Sequence, residues 1–366
     1  MKFSLLSENL QKKLSFVTHA ISTKSQTPIL GNILLEAKKG KLIISATDLE
    51  IGIQAEIPAN VEEEGGVMIP AKIFMDFINS LSSGKINFEL KENNLKVNAV
   101  KTKSTFQTNN KEDFPKLFEE KGEKLFEIKK ETLEKDFSKV VFAASLDSGR
   151  PALSGILIKG DQKGKSEIIA TDGYRLSLKQ LDKEFESSLL IPARIIKELL
   201  MGKNEEDVTV FLSKKNNQII FEQEGILVIG RLIDAEFPNY EKIIPQDFEV
   251  RAWFNKNELL EAVKLSSIFA RDSANIIKLS ITKNSIIVSA NTPSVGDNTA
   301  EVEAKVEGEE NKIAFNARYL LDLLGSIDDE ELIFEMTGPL SPGVFKLKND
   351  PTFLHLIMPI RVQEES

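Results

Sequence analysis

The sequence predicts an α+β chain of three tandem repeats, each made of two rounds of strand, helix and several strands. Three observations carry this. A length of 366 residues exceeds the roughly 100 to 200 that one ordinary core organises. Two unrelated markers recur in the same order with nearly one period. Ile69-Pro70-Ala71-Lys72, Ile191-Pro192-Ala193-Arg194 and Phe315-Asn316-Ala317-Arg318 stand 122 and 124 residues apart, while Ser45-Ala46-Thr47-Asp48, Ile169-Ala170-Thr171-Asp172 and Ser289-Ala290-Asn291-Thr292 stand 124 and 120 apart. Apolar spacing also alternates between the helical and strand periods at corresponding places in each copy. The expected boundaries are 1–121, 122–247 and 248–366.

The first copy opens on a strand over Met1 to Leu6. A helix follows, with Leu10, Leu14, Val17 and Ile21 on one face behind a Ser7 cap. The same helix recurs with Leu133, Phe137, Val140 and Val141, and with Leu259, Leu260, Val263 and Ser267. Strands are expected over Ile33 to Ala37, Lys41 to Ala46 and Ile51 to Ile57, then the Ile-Pro-Ala helix, then strands over Lys85 to Leu90, Leu95 to Val100 and Ser104 to Thr108. Asn93-Asn94 and Asn216-Asn217 sit between paired strands, where Asn tolerates the positive φ of a hairpin turn. Glu119 to Lys124 and Pro245 to Glu249 read as linkers.

Composition narrows the function. Hydrophobic residues at 41% and charged residues at 28% fit a soluble folded protein. The absence of cysteine removes disulfides, thiolate metal sites and cysteine nucleophiles, and is compatible with a reducing cytoplasm. No stretch of about 18 apolar residues predicts a membrane span, and the apolar start breaks at Ser7-Glu8-Asn9, against a signal peptide. Neither a phosphate-cradling Walker loop nor a Gly-x-Gly-x-x-Gly turn is present. His19 and His355 stand 336 residues apart with no local ligand set, so both are expected to be structural. Asp48 and Asp172 occupy equivalent positions after strands, where catalytic acids often lie, but the third copy carries Asn291 there. Asp and Asn are interchangeable when the side chain only bonds its own backbone, so an Asx-type turn is expected at all three.

Charge is divided unevenly. The segments 7–24, 69–85, 129–145, 191–203, 255–271 and 315–324, which hold the expected helices, carry a net +7, leaving −16 for the rest of a chain of −9. Helices that face a polyanion and sheets that do not would produce this division, and phosphate contacts bind without reading sequence.

Further residues carry a resemblance over the whole chain. The start MKFSL, Thr27-Pro28-Ile29-Leu30-Gly31-Asn32-Ile33-Leu34-Leu35, Ala46-Thr47-Asp48-Leu49-Glu50, Ala170-Thr171-Asp172-Gly173-Tyr174-Arg175-Leu176, Phe237-Pro238-Asn239-Tyr240 and the ending Met358-Pro359-Ile360-Arg361 resemble the bacterial sliding-clamp family, the beta subunits of DNA polymerase III. The resemblance implies three DNA-clamp domains without catalysis or cofactor. Two copies would close head to tail into a ring around duplex DNA, helices lining the hole and sheets outside. It implies DNA contacts by Lys24, Lys72, Arg150, Arg194, Lys197 and Arg271, with Lys24 where relatives carry arginine. It implies a dimer contact of Phe106 with Ile268 and Phe269. It also implies an apolar pocket between the second and third domains for short peptides of the polymerase III alpha subunit, the clamp loader, other polymerases and repair proteins. The matching positions are Leu153, Thr171, Gly173, Tyr174, Arg175, Leu176, Pro245, Leu356, Met358, Pro359, Ile360 and Arg361. Val362 to Ser366 extends past the arginine at which many relatives nearly stop.

Two other readings compete. One is a metal-dependent DNA-processing enzyme on a repeated β-rich scaffold, using Asp48, Asp172 and scattered glutamates, against which Asn291 and the missing local ligand sets count. The other is a monomeric adhesion or scaffold protein, which would have no need of the helix charge bias.

Overall fold

A computed structural model of the chain describes residues 1–21, 27–147, 149–160, 166–182, 185, 188–202 and 205–362. They form two compact units, Met1–Lys130 with Arg194–Leu232, and Glu131–Ala193 with Ile233–Ser366. The central repeat is thus divided between the units. Each sheet stays within one unit: a five-stranded and an eight-stranded antiparallel sheet in the first, and a twelve-stranded one in the second.

In the first unit, strand Lys2–Leu6 runs into helix Ser7–Val17, which buries Leu10, Leu14, Phe16 and Val17. The helix starts one residue earlier than a Ser7 cap implies. Leu6 is the extended residue at its N-terminus, and the Ser7 hydroxyl instead accepts the Gly84 N–H at 3.0 Å and reaches the Ser82 carbonyl at 3.1 Å. Ile21 lies beyond a 3-10 turn over Thr18–Ala20, outside the helix. Helix Ala71–Ser80 follows strand Gly65–Pro70 and buries Ala71, Phe74 and Ile78, the i, i+3, i+7 stripe that the Ile-Pro-Ala marker announces. A short strand, Asn60–Glu63, has no counterpart in the sequence reading, because its four mostly exposed residues give no alternation to detect.

The second unit starts at Glu131, inside a composite helix made of Lys130–Thr132, a π turn over Leu133–Phe137, and Ser138–Val141. The wider turn leaves the expected Leu133, Phe137, Val140 and Val141 all buried. Helix Lys256–Ala270 is capped by the Asn255 side chain, which accepts the N–H groups of Asn257 and Glu258 at 2.8 and 3.2 Å. Its buried stripe is Leu259, Ala262, Val263, Ser266 and Ala270, one residue round from the expected Leu260 and Ser267. Phe315, Phe334 and Phe345 meet with centroids 4.9 to 6.2 Å apart. A Cβ at Gly343 would come within 2.5 Å of the Phe315 ring, so only glycine fits there. Of the two expected Asn turns, Asn217 holds φ +50°, whereas in the first copy the positive φ belongs to Glu92, one residue before Asn93.

The repeats join by one rule. The last strand of the central repeat, Ile226–Arg231, pairs with Ile51–Pro58 of the first, Val228 opposite Ile53. The last strand of the third, Phe353–Ile357, pairs with Arg175–Leu181 of the central one, His355 opposite Ser177. In-sheet pairing makes these positions equivalent. Ala46 faces Ile53 and Ala170 faces Ser177; Phe221 faces Val228 and Phe345 faces His355. The two joints therefore share one register.

Candidate functional site

After strand Ser166–Thr171 the chain reverses through Asp172 and Gly173. The Thr171 hydroxyl donates to the Arg175 carbonyl at 2.6 Å and accepts the Gly173 N–H at 3.0 Å. Asp172 Oδ1 accepts the N–H groups of Tyr174 and Arg175 at 2.9 and 3.1 Å. Gly173 sits at φ +93°, where a side chain is strained. This is the expected Asx turn, and Asp48 makes the same one, accepting from Glu50 and Ile51 at 3.0 Å each. At Asn291 the expectation fails. Asn291 pairs with Asp297 where Thr171 pairs with Leu176, and the third hairpin runs one pair further, to Thr292 opposite Gly296, so no such turn forms there.

Arg175 Nε donates to Asp172 Oδ2 at 3.0 Å, and its Nη groups reach Asp322 at 2.5 Å and the Phe142 carbonyl at 3.0 Å. Its guanidinium lies over the Phe142 and Tyr319 rings. Arg175 is therefore a buried brace under the turn. Beside it His355 is fully buried, its Nδ1 2.6 Å from Ser177 Oγ. Burial first, and the Arg175 charge second, hold its pKa well below 6.5, so the ring is neutral. His19 Nδ1 lies 2.9 Å from Glu198.

On the sheet face above this brace is a cleft of about 200 Å³. Seven of the expected pocket residues line it: Thr171, Gly173, Tyr174, Arg175, Leu176, Leu356 and Met358. Leu176 and Leu356 form its floor as a cross-strand pair, and the Met358 N–H bonds to the Tyr174 carbonyl at 2.8 Å. Its roof was missed: Pro238, Asn239, Tyr240 and Ile243 come from a segment without regular periodicity. The only signal was the Phe237-Pro238-Asn239-Tyr240 run itself. Pro245 does not line the cleft. Neither does Leu153, although its Cδ1 is 3.8 Å from where a Gly173 Cβ would stand. Pro359 and Arg361 also lie off it, and Ile360 lines a separate hollow of about 220 Å³ with Lys278 and Lys312, its N–H on the Ala314 carbonyl at 2.8 Å.

The expected DNA-facing residues are divided between the units, Lys72, Arg194 and Lys197 in the first and Arg150 and Arg271 in the second. Lys24 lies outside the described residues. Lys72 is exposed on helix Ala71–Ser80, and Lys197 is half-buried on helix Ala193–Met201. Arg194 is bonded to Asp48, with Glu50 at 3.5 Å and the His19 carbonyl at 3.2 Å. Arg271 is exposed at the C-terminal end of helix Lys256–Ala270. Arg150 stands beside the cleft, its Nη1 3.7 Å from a Gly173 Cβ position. Of the expected dimer residues, Phe106 packs edge-on against Phe74 and Phe77 at 5.6 and 5.2 Å. Ile268 is 52% exposed, and Phe269 is partly buried against the core of the second unit. Among the described residues no group of three His, Asp or Glu side chains is arranged to hold a metal.

Three family models match in tandem: the N-terminal, central and C-terminal domains of the DNA polymerase III beta subunit, over residues 1–118, 127–239 and 241–361. The chain belongs to the DNA polymerase III beta subunit family. The beta sliding clamps of Staphylococcus epidermidis and Staphylococcus aureus are each 29% identical to it over 99% of both chains. The beta subunit of Thermotoga maritima superposes with a TM-score of 0.90 at 28% identity, covering 99% of this chain and all of that one. The sliding clamp of Bartonella birtlesii, solved bound to griselimycin, superposes with 0.92 at 26% identity and the same coverage. The protein is accordingly a non-catalytic sliding clamp of DNA polymerase III, and the reading as a metal-dependent enzyme finds no support.

Proposed function

We propose that this clamp acts as a head-to-tail ring of two copies around duplex DNA, helices toward the DNA and sheets outside, and that partners dock short peptides in the cleft over Leu176 and Leu356. Its three domains would be 1–121, 122–247 and 248–366, working in the cytoplasm. The repeated joint register carries the ring. Val97 faces Ser104 as Phe345 faces His355, and Ala290 faces Asn298 as Ala170 faces Ser177. Within a single copy, strand Thr102–Gln107 and the Gly296 to Glu303 stretch of strand Gly296–Glu307 each pair on one side only. Applying the rule between two copies puts Ser104 opposite Asn298 and Phe106 opposite Gly296. A Cβ at Gly296 would lie 3.9 Å from the Phe269 ring, so Phe106 would meet Phe269 there. Such a closed ring stays on DNA by topology and needs only weak, salt-sensitive phosphate contacts.

Lys24, Lys72, Lys197 and Arg271 are the contacts proposed on the DNA side, with Arg194 joining them once it leaves Asp48 and Glu50. Arg150, beside the cleft, is better placed for a peptide. The griselimycin complexes of Bartonella birtlesii and Pseudomonas aeruginosa clamps support a ligand cleft in the family. Partners would include the polymerase III alpha subunit, the clamp loader, and other polymerases and repair proteins. Light scattering should give about twice 40.9 kDa, falling to a monomer when Ile268 and Phe269 are both changed to serine. Loaded on a nicked circle, the ring should stay until the circle is linearised. Equal retention on linear DNA would refute encirclement.

A further inference from the structure

We infer that the peptide groove continues past Tyr240 into a second compartment, which accepts a basic residue flanking the apolar anchors of a docking peptide. This rests on the peptide reading above. Strands Arg175–Leu181 and Phe353–Ile357 set Leu176 opposite Leu356 and, two residues along, Leu178 opposite Leu354. Alternate residues of a strand share a face, so the two pairs floor one furrow. The first pair lies under the cleft. The second lies under an adjoining hollow of about 540 Å³.

Tyr240 lines both spaces and packs on Ile169, Leu176, Leu178 and Leu356. Its hydroxyl donates to Glu167 at 2.7 Å and accepts from Lys159 at 3.2 Å, so the ring is a fixed rib across the furrow. Burial, then the bond to Glu167, pushes its pKa up to about 12, which keeps the phenol neutral and donating. The first space is walled mainly by apolar residues. The second is rimmed by Lys159, Glu167 and Glu241, together with Gln180, Gln246 and Thr352.

Among the described residues of this rim, the two carboxylates outnumber the one ammonium. Lys159 is already bonded to Glu241 at 2.6 Å, and Glu167 Oε1 receives only a long 3.4 Å contact from Gln180. Lys346, opposite Leu354 on the next strand, is bonded to Glu335 at 2.6 Å and is not directed to these carboxylates. Lys179 is engaged by Asp350 at 2.9 Å and lies near Asp136 at 3.6 Å. A lysine or arginine side chain entering the hollow finds acceptors and room for its stem; a glutamate meets two like charges.

The test is fluorescence anisotropy on the full-length protein with a labelled Gln-Leu-Ser-Leu-Phe peptide. The peptide is used alone or extended at either end by two lysines or by two glutamates. At one end the lysine extension should bind about two- to tenfold more tightly than the glutamate extension at low salt, with the gap narrowing as salt rises. In Glu167→Gln with Glu241→Gln the ratio of the two extended peptides' affinities should fall to about one, each read against the unextended peptide on the same variant. A Glu309→Gln, Glu310→Gln control, with the same change of net charge elsewhere on the surface, should preserve the discrimination. Equal affinity for both extensions at both ends, or discrimination that survives in the first variant, would overturn the second compartment alone. Failure of the unextended peptide to bind would overturn the peptide reading with it.

Discussion

The turn at Thr171 to Arg175 has a twin at Thr47 to Ile51, yet the two turns border very different spaces. In the twin, the Thr47 hydroxyl donates to the Ile51 carbonyl at 2.8 Å and accepts the Leu49 N–H at 3.0 Å, the same circuit bond for bond. Each turn is roofed by a Phe-Pro segment, Phe114-Pro115-Lys116-Leu117 in the first unit and Phe237-Pro238-Asn239-Tyr240 in the second. The space under the first is about 120 Å³, against about 200 Å³ under the second. The cause lies in the floor. Gly52 stands where the second unit has Leu176, and a Cβ there would come within 2.8 Å of Leu117 Cδ2. Leu117 drops onto that glycine and packs with Ile220, Leu227 and Ile229, plugging its own cleft. With a leucine in the floor, the roof must stand off. One repeat design thus yields a closed joint and an open one.

Removing that floor should have the largest effect. Leu176 is fully buried, so Leu176→Ala should cost about 2 to 5 kcal/mol of stability, read by thermal or denaturant melting. Together with Met358→Ala, which removes a rim contact, it should weaken a two-anchor peptide at least about tenfold by calorimetry. Undiminished affinity in a folded double variant would move the docking site off this cleft.

The reverse change is expected to be milder. Gly52→Leu forces Leu117 off the floor and should cost about 1 to 3 kcal/mol, the range for overpacking a formed contact. If the floor alone decides, this variant should also bind the peptide at a second, weaker site, so titration would no longer fit one site per chain. A destabilised variant with one site per chain would show that the roof sequence matters as much.

Beneath the two floors the joints differ again. The equivalent of the apolar pair Ile53 and Val228 is the polar pair Ser177 and His355. Because the folded-state pKa of His355 is depressed, the unfolded chain binds the proton more readily. The contribution is fully present above pH 6.5 and is lost as pH falls below it, by at most about 1.4 kcal/mol per pH unit. Hydrogen exchange should then show strand Phe353–Ile357 losing protection in mild acid while Ile226–Arg231 does not. Changing Ser177 to Ile and His355 to Val together should abolish the difference, since replacing both partners leaves no orphan. Persistence of the acid response would assign it to other groups.

Much of this contrast was legible beforehand. The Ala-Thr-Asp and Ile-Pro-Ala markers each fix a strand end and a helix start, so the repeat, the turns at Asp48 and Asp172 and the floor residues Leu176 and Leu356 could be read from spacing and resemblance. Pro238 and Ile243 could not, because an irregular roof segment is held by tertiary packing and follows no period. Pro245, a few residues further along the same segment, was chosen in their place. Arg150 is a DNA contact by resemblance alone; its place beside Gly173 follows from the fold and not from its charge. The division of the central repeat between two units also lay beyond reach, since which strands pair across repeats depends on register and not on local pattern.

The smallest expected effect tests the turn rather than the floor. Leu49 and Gly173 occupy the same left-handed position, at φ +77° and φ +93°. A leucine there carries a strain of roughly 1 to 2 kcal/mol that a glycine does not. Leu49 is 65% exposed, so little packing is lost when it is removed. Leu49→Gly should therefore relieve the strain, offset by the roughly 0.5 to 1 kcal/mol of extra chain entropy a glycine gives the unfolded state. The net is a stabilisation of about 1 kcal/mol or less, measurable as a shift in denaturant midpoint at constant slope. Gly173→Leu should move the other way by a larger amount, because it adds the strain and also sets a side chain beside Leu153 and Arg150 at the rim of the open cleft. If Leu49→Gly destabilises instead, the Leu49 side chain holds the closed joint shut. The asymmetry between the clefts would then reside in the turn as well as in the floor.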